Sequence, residues 1–173
     1  MKTASNFLLG LLMLLPLTSF ANLITSTGSI SHYGAGSVSY TLFDQDARAR
    51  TRISVNSASF DTQIFLFEND GILNGSDFVS HNDDGGPGLN SLIDRILNAG
   101  SYILAVSDFP LSFSEAISGF NYNNRYGSYN LRINSAANVG FSSDVSSVPE
   151  PTTLSLLGLG LLGVRLSQRF RSR

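Results

Sequence analysis

Between residues 37 and 133 the chain repeats one pattern: a short run alternating polar and apolar side chains, then a cluster of Gly, Asn, Asp or Pro. Successive side chains of an extended strand point to opposite faces, so a two-residue alternation suits a strand with one buried face and misfits a helix. Ser37-Val38-Ser39-Tyr40-Thr41-Leu42-Phe43 alternates this way. So does Arg48-Ala49-Arg50-Thr51-Arg52-Ile53-Ser54-Val55, whose arginines then share one face. Phe60 to Phe67, Phe78 to His81, Ser91 to Leu97, Ser101 to Ser107 and Gly127 to Ile133 continue the series. Turn clusters at Asn69-Asp70-Gly71, Asn74-Gly75, Asp84-Gly85-Gly86-Pro87-Gly88 and Ala99-Gly100 separate the runs. With almost no helical periodicity, the pattern predicts an all-β domain, an antiparallel sandwich or jelly roll of about seven to nine strands. Alternation predicts inward positions for Val38, Tyr40, Leu42, Ile53, Val55, Ile64, Leu66, Ile93, Tyr102, Leu104, Val106, Tyr129, Leu131 and Ile133.

Composition removes several function classes. A chain of 173 residues holds one domain of ordinary size. Without Cys there is no disulfide scaffold, thiol nucleophile or thiolate metal site. The net charge of −2 conceals an uneven distribution: between residues 22 and 148, twelve acidic side chains face six arginines. That middle is acidic, which favours cations, disfavours polyanions on overall field and leaves no basic face for nucleic acid. Catalysis has little to stand on. His32 and His81 lack metal-ligand spacing, and no Gly-x-Ser-x-Gly elbow holds a serine. Asp83 and Asp84 are adjacent, so on a strand they point apart. The expectation is a protein that is not an enzyme; a small extracellular hydrolase is a distant alternative.

Both ends read as addresses. Lys2 followed by the apolar run Phe7 to Leu17, then Ser19-Phe20-Ala21, predicts a signal peptide over 1–21, cut between Ala21 and Asn22. This implies export through the secretory translocon and cleavage by signal peptidase. At the other end Val148-Pro149-Glu150-Pro151 precedes an apolar stretch, and Arg165, Arg169, Arg171 and Arg173 follow. A helix from Thr152 to Phe170 would rise about 28 Å, just under a hydrocarbon core of about 30 Å. The trailing arginines stay cytoplasmic, so the helix would hold the domain outside. The expected division is 1–21 signal peptide, 22–147 sandwich domain and 148–173 sorting signal.

Pro-Glu-Pro, an apolar span and an Arg-rich end in that order resemble the PEP-CTERM sorting signal. The resemblance implies that a membrane-embedded exosortase recognises Pro149-Glu150-Pro151 and cuts nearby. The chain would sit transiently in the inner membrane, then at the cell surface or outside, among exopolysaccharide. A second resemblance runs through Phe60 to Phe67, Asn82-Asp83-Asp84-Gly85-Gly86, Asn90-Ser91-Leu92-Ile93, Ala99 to Val106 and Gly127 to Leu131. It is similar to bacterial pre-peptidase C-terminal-like domains. That likeness implies a non-catalytic β-sandwich that binds matrix or polysaccharide in some members, with calcium in some.

Three features are candidate sites. Asp61, Asn82, Asp83, Asp84 and Asn90 are oxygen-bearing residues of the kind calcium takes, although the spacing is not that of an EF-hand. The same Asn and Asp residues equally serve a hairpin turn by capping its backbone. Arg48, Arg50 and Arg52 can grip an acidic polysaccharide, or form a solvated face paired in part with Asp44 and Asp46. The long connection from Phe109 to Tyr126 carries Phe120, Tyr122, Asn124 and Tyr126, aromatic faces beside amides that suit a sugar ring. Its aromatics equally suit a lid over one open end of the core. The functional expectation is an exported matrix protein, with a glycan-binding module as the alternative.

Overall fold

The computed structural model describes residues 22–122 and 125–142. The signal segment with Ala21, Asn124, the sorting residues Val148, Pro149, Glu150 and Pro151, and the basic tail Arg165, Arg169, Arg171 and Arg173 lie outside the described residues. Among the described residues no helix is long and apolar enough to cross a membrane.

In chain order the strands are β1 (Asn22–Ile30), β2 (Gly34–Ala35), β3 (Ser39–Gln45), β4 (Ala49–Asn56), β5 (Thr62–Glu68), β6 (Phe78–Asn82), β7 (Ser91–Leu97), β8 (Gly100–Asp108), β9 (Phe120–Asn121), β10 (Gly127–Ser135) and β11 (Val139–Phe141). One helix, α1 (Phe113–Ser118), lies between β8 and β9. Nine strands form two sheets of order β1-β10-β4-β7 and β11-β3-β8-β5-β6; β2 and β9 pair separately. Every pairing is antiparallel. The two sheets bury one shared core, so the predicted all-β sandwich is the fold.

The alternation explains the four-stranded sheet. On β4, Thr51, Ile53 and Val55 are buried while Arg50 and Arg52 are exposed. On β10, Tyr129, Leu131 and Ile133 join them. Ile64, Leu66, Tyr102, Leu104 and Val106 complete the core from the five-stranded sheet. Each such side chain, fully buried, contributes about 1.5–3 kcal/mol before chain entropy is counted.

Strand β1 has no counterpart in the runs read from the sequence. Its inward positions include Ser26 and Gly28, so it carries a weak apolar signature. Gly28 lies opposite Tyr129, and a Cβ on it would come 2.3 Å from the tyrosine ring. The ring occupies the space the glycine leaves, and its hydroxyl meets Ser39 Oγ at 2.9 Å. The partner strand supplies the apolar cover that β1 lacks.

Strand β3 corrects the expected phase. Phe43 faces the inter-sheet core, stacked 5.3 Å from Tyr102. Val38 and Leu42 instead pack in a second apolar cluster with Phe65, Phe67, Ile103, Ala105, Leu111 and Ala116. Tyr40 is 37% exposed and donates to the Ala116 carbonyl at 2.7 Å. The reason is a third layer: α1 and its flanks cover the outer face of the five-stranded sheet. With both faces of the sheet covered, the alternation on this strand marks an apolar side without saying which of the two covers it meets.

The helix is local in origin. Ser112 accepts from the Glu115 N–H, the Glu115 carboxylate accepts from the Ser112 N–H, and Gly119 ends the turn at φ 80°. Phe113 then reaches back to Phe65, Phe67 and Phe78, with ring centres 5.5–6.2 Å apart. The first half of the 109–126 connection is therefore a lid, but over a sheet face rather than over an open end.

Candidate functional site

The topology gathers the described acidic and aromatic candidates at one end of the sandwich, while the Arg48–Arg52 stripe runs from the other end along β4. Strands β1, β4, β6 and β8 finish there, and β3, β5, β7 and β10 begin there. The end is closed from within by Thr62 and Ser91. The Ser91 N–H donates to Thr62 Oγ1 at 2.8 Å, and Ser91 Oγ donates to the Asp83 carbonyl at 2.9 Å.

Aromatic residues stand over this end. β2 pairs with β9 in the register Gly34↔Asn121 and Ala35↔Phe120, which brings the segment before β2 towards the one after β9. The His32 ring lies 4.4 Å from that of Tyr33 and 5.7 Å, edge on, from that of Tyr126. Tyr122 is 76% exposed, Tyr126 59%, Tyr33 57% and Phe120 46%. Sequence reasoning found Phe120, Tyr122 and Tyr126 and missed His32 and Tyr33. The latter two belong to a different connection, and only the short β2–β9 pairing brings them across.

Asn121 anchors this patch. It is almost fully buried; its backbone N–H donates to Ser37 Oγ at 2.7 Å, and its amide donates to Ser107 Oγ at 2.9 Å and to the Asp108 carbonyl at 2.7 Å. The exposed rings therefore stand on a hydrogen-bonded base rather than on a free loop.

Acidic groups lie beside them. Among the described residues, Asp61 Oδ1 is buried without a hydrogen-bond partner. Burial, followed by the charges of Asp84 and Asp108, raises the Asp61 carboxyl above its ordinary value, while Arg125 draws it back in part. Burial also raises Asp108, whose Oδ1 accepts from the Asp61 N–H at 3.2 Å.

The candidate calcium ligands are only partly assembled. Asp61, Asp83 and Asp84 share one electrostatic neighbourhood. Asn82 Oδ1, however, accepts from the N–H groups of Gly85 and Leu92, both at 2.8 Å. Asn90 Oδ1 accepts from the Ser57 N–H, and Asp83 Oδ1 from the Asp84 N–H. These oxygens stabilise the turn's own backbone, and among the described residues no three carboxylate or imidazole groups converge to hold a metal. As folded, the set does not fit a cation that wants six to eight oxygens.

The arginine stripe finds a different partner from the one expected. Arg50 forms a two-pronged ion pair with Asp94, at 2.8 and 3.0 Å. Asp44 instead accepts from Ser101, and Asp46 from Asn138.

Comparison with known proteins matches residues 147–172 to the PEP-CTERM protein-sorting motif. The chain therefore carries a sorting signal at the place the sequence pattern indicated. No curated protein matches the chain. Among solved structures, the pre-peptidase C-terminal domain of a Bacillus anthracis collagenase aligns with 65% of this chain and 89% of that one, at 18% identity and a TM-score of 0.46. The Yersinia pseudotuberculosis-derived mitogen aligns over 75% of this chain and 93% of its own, at 14% identity and a TM-score of 0.39.

Proposed function

We propose that this chain is an exported, non-enzymatic surface protein, cut by an exosortase near Pro149-Glu150-Pro151 and delivered to the exopolysaccharide matrix outside the cell. The observation that carries this reading is the sorting motif at 147–172. The proposed division is a signal peptide over 1–21, a sandwich domain over 22–147 and a sorting signal over 148–173; the described fold lies within the middle part, where the Ser142 N–H donates to the Leu42 carbonyl. Signal peptidase and the translocon act first, and a membrane helix within 152–170 holds the domain outside until processing. The test is a chain carrying Pro149→Ala and Glu150→Ala, expressed in its host. The uncut form is expected to accumulate in the membrane fraction. Wild-type size and location would sink the idea of sequence-specific processing.

A second reading is favoured by the exposed rings of Tyr33, Tyr122 and Tyr126: a glycan-binding module that stacks sugars at the aromatic end. Tyr122→Ala with Tyr126→Ala is then expected to abolish binding to the host's exopolysaccharide while melting stays unchanged. A drop in melting with no binding defect assigns those rings to the fold.

A further inference from the structure

The two sheets treat their outer faces differently. That of the five-stranded sheet lies under α1, whereas that of the four-stranded sheet is uncovered by any of the described residues and is lined by two adjoining hollows of about 260 and 710 Å³. Asn56 and Arg132 line both hollows, and Arg52 lines the smaller.

Three observations about this face point to one ligand chemistry. The first is charge. The domain is acidic overall, yet the outward strand positions of this face carry Arg50, Arg52 and Arg132 against Asp94 alone. Asp94 gives both carboxylate oxygens to Arg50. Arg52 and Arg132 are exposed and form no ion pair among the described residues.

The second is placement. Arg132 pairs with Ser54 and Arg52 with Asn134, so the two arginines sit on a cross-strand diagonal about 7–8 Å apart at their bases. They can engage neighbouring anionic groups on one extended chain.

The third is an orphan. Among the described residues Asn56 Oδ1 is buried and has no hydrogen-bond partner, an arrangement that costs stability unless a donor arrives. Around it Thr27 and Asn130 offer further hydroxyl and amide groups, and none of the lining residues is aromatic. Arg132, and Arg52 which shares the charge of Asp94 with Arg50, leave this face with a surplus of guanidinium groups that suits carboxylates, and the unfilled carbonyl suits a hydroxyl.

We propose that the outer face of the four-stranded sheet is a binding groove for an acidic polysaccharide, with Arg52 and Arg132 holding uronate carboxylates and Asn56 accepting a sugar hydroxyl. The proposal deepens the matrix reading above and rests on it for the source of the ligand. The domain's negative field does not forbid it. Beyond a Debye length of about 8 Å at physiological salt that field is screened, whereas charge-assisted hydrogen bonds act at contact. The arginine stripe on β4 alone is a solvated face; Arg132, brought alongside by β10, and the orphan carbonyl turn it into a groove.

The experiment titrates the full chain, purified in detergent, with alginate as a polyuronate and with dextran as a neutral polymer. Saturable binding to alginate and none to dextran is expected. Arg52→Gln and Arg132→Gln each weaken it about tenfold, the size of one lost charge-assisted contact. Arg132→Lys retains part of the affinity, and Arg48→Gln, outside both hollows, leaves it unchanged. Asn56→Leu weakens binding without lowering the melting temperature, because the variant also removes the unpaired acceptor. Equal binding of the two polymers, or wild-type affinity in Arg52→Gln and Arg132→Gln, overturns the proposal. So does loss in Tyr122→Ala that matches the arginine variants, since the ligand then sits at the aromatic end. The Pro149→Ala chain is titrated in parallel; its binding curve is independent of whether sorting fails, so the two readings fall separately.

Discussion

Asp61 shows how one residue holds a cost that its neighbours set. Its Oδ1 is enclosed without a donor among the described residues, and Asp84, Asp108 and Asp83 add negative charge around it. A carboxyl raised in the folded state binds its proton more tightly there than in the unfolded chain. Stability therefore falls as pH climbs from the ordinary carboxylate value of 3.8 through the raised one. Asp61→Asn removes the charge, so it is expected to stabilise the fold at pH 7 and to make little difference near pH 3. Urea midpoints at the two pH values check this; an equal shift at both would assign the effect to packing instead. At Gly28 the logic is steric: the Tyr129 ring fills the place of a Cβ, so a residue of low strand propensity sits in an edge strand by necessity.

Among the elements, the 109–126 connection is two devices joined at Asn121. Its first part lays Leu111, Phe113 and Ala116 on the five-stranded sheet, with the Leu111 N–H donating to Gln63 Oε1 at 2.6 Å. Its second part presents rings to solvent. Asn121→Ala leaves the Ser107 hydroxyl and the Asp108 carbonyl without their amide donor. The expected cost is about 1–3 kcal/mol, the penalty for an unmatched buried polar group. Native-state hydrogen exchange is expected to show faster exchange in β2 and β9, with the central strands β4 and β8 protected as before. Loss of protection throughout would mean that Asn121 supports the whole sandwich.

For the whole molecule, the folded part is stabilised by one large inter-sheet core and a smaller outer one, without disulfides. The acidic turn at 82–85 satisfies its own backbone, so the fold does not depend on a cation there. Melting in calcium and in chelator is therefore expected to coincide. A rise of several degrees with calcium would show that the turn rearranges to recruit oxygens, and would restore it as a metal site. Charge is unevenly placed on the same scale: Asp61, Asp83, Asp84 and Asp108 gather at one end, while the outer face of the four-stranded sheet carries Arg50, Arg52 and Arg132 against Asp94. A single net charge describes neither surface.

The sequence by itself determined the all-β class, the phase of β4, β7 and β10, and the sorting signal. Each rests on local physics: two-residue alternation where one face is buried, and contiguous residues that form a motif. It did not determine the side chosen by Val38, Tyr40 and Leu42, because alternation marks an apolar side without telling the partner sheet from the lid formed by α1. Nor did it reveal β1, whose apolar cover comes from Tyr129 on another strand. The contact of His32 with Tyr126, the ion pair of Arg50 with Asp94, and the placement of Arg52 diagonally from Arg132 join residues distant in the chain. Only strand order and register bring them together, so only the tertiary structure could decide which surfaces they make.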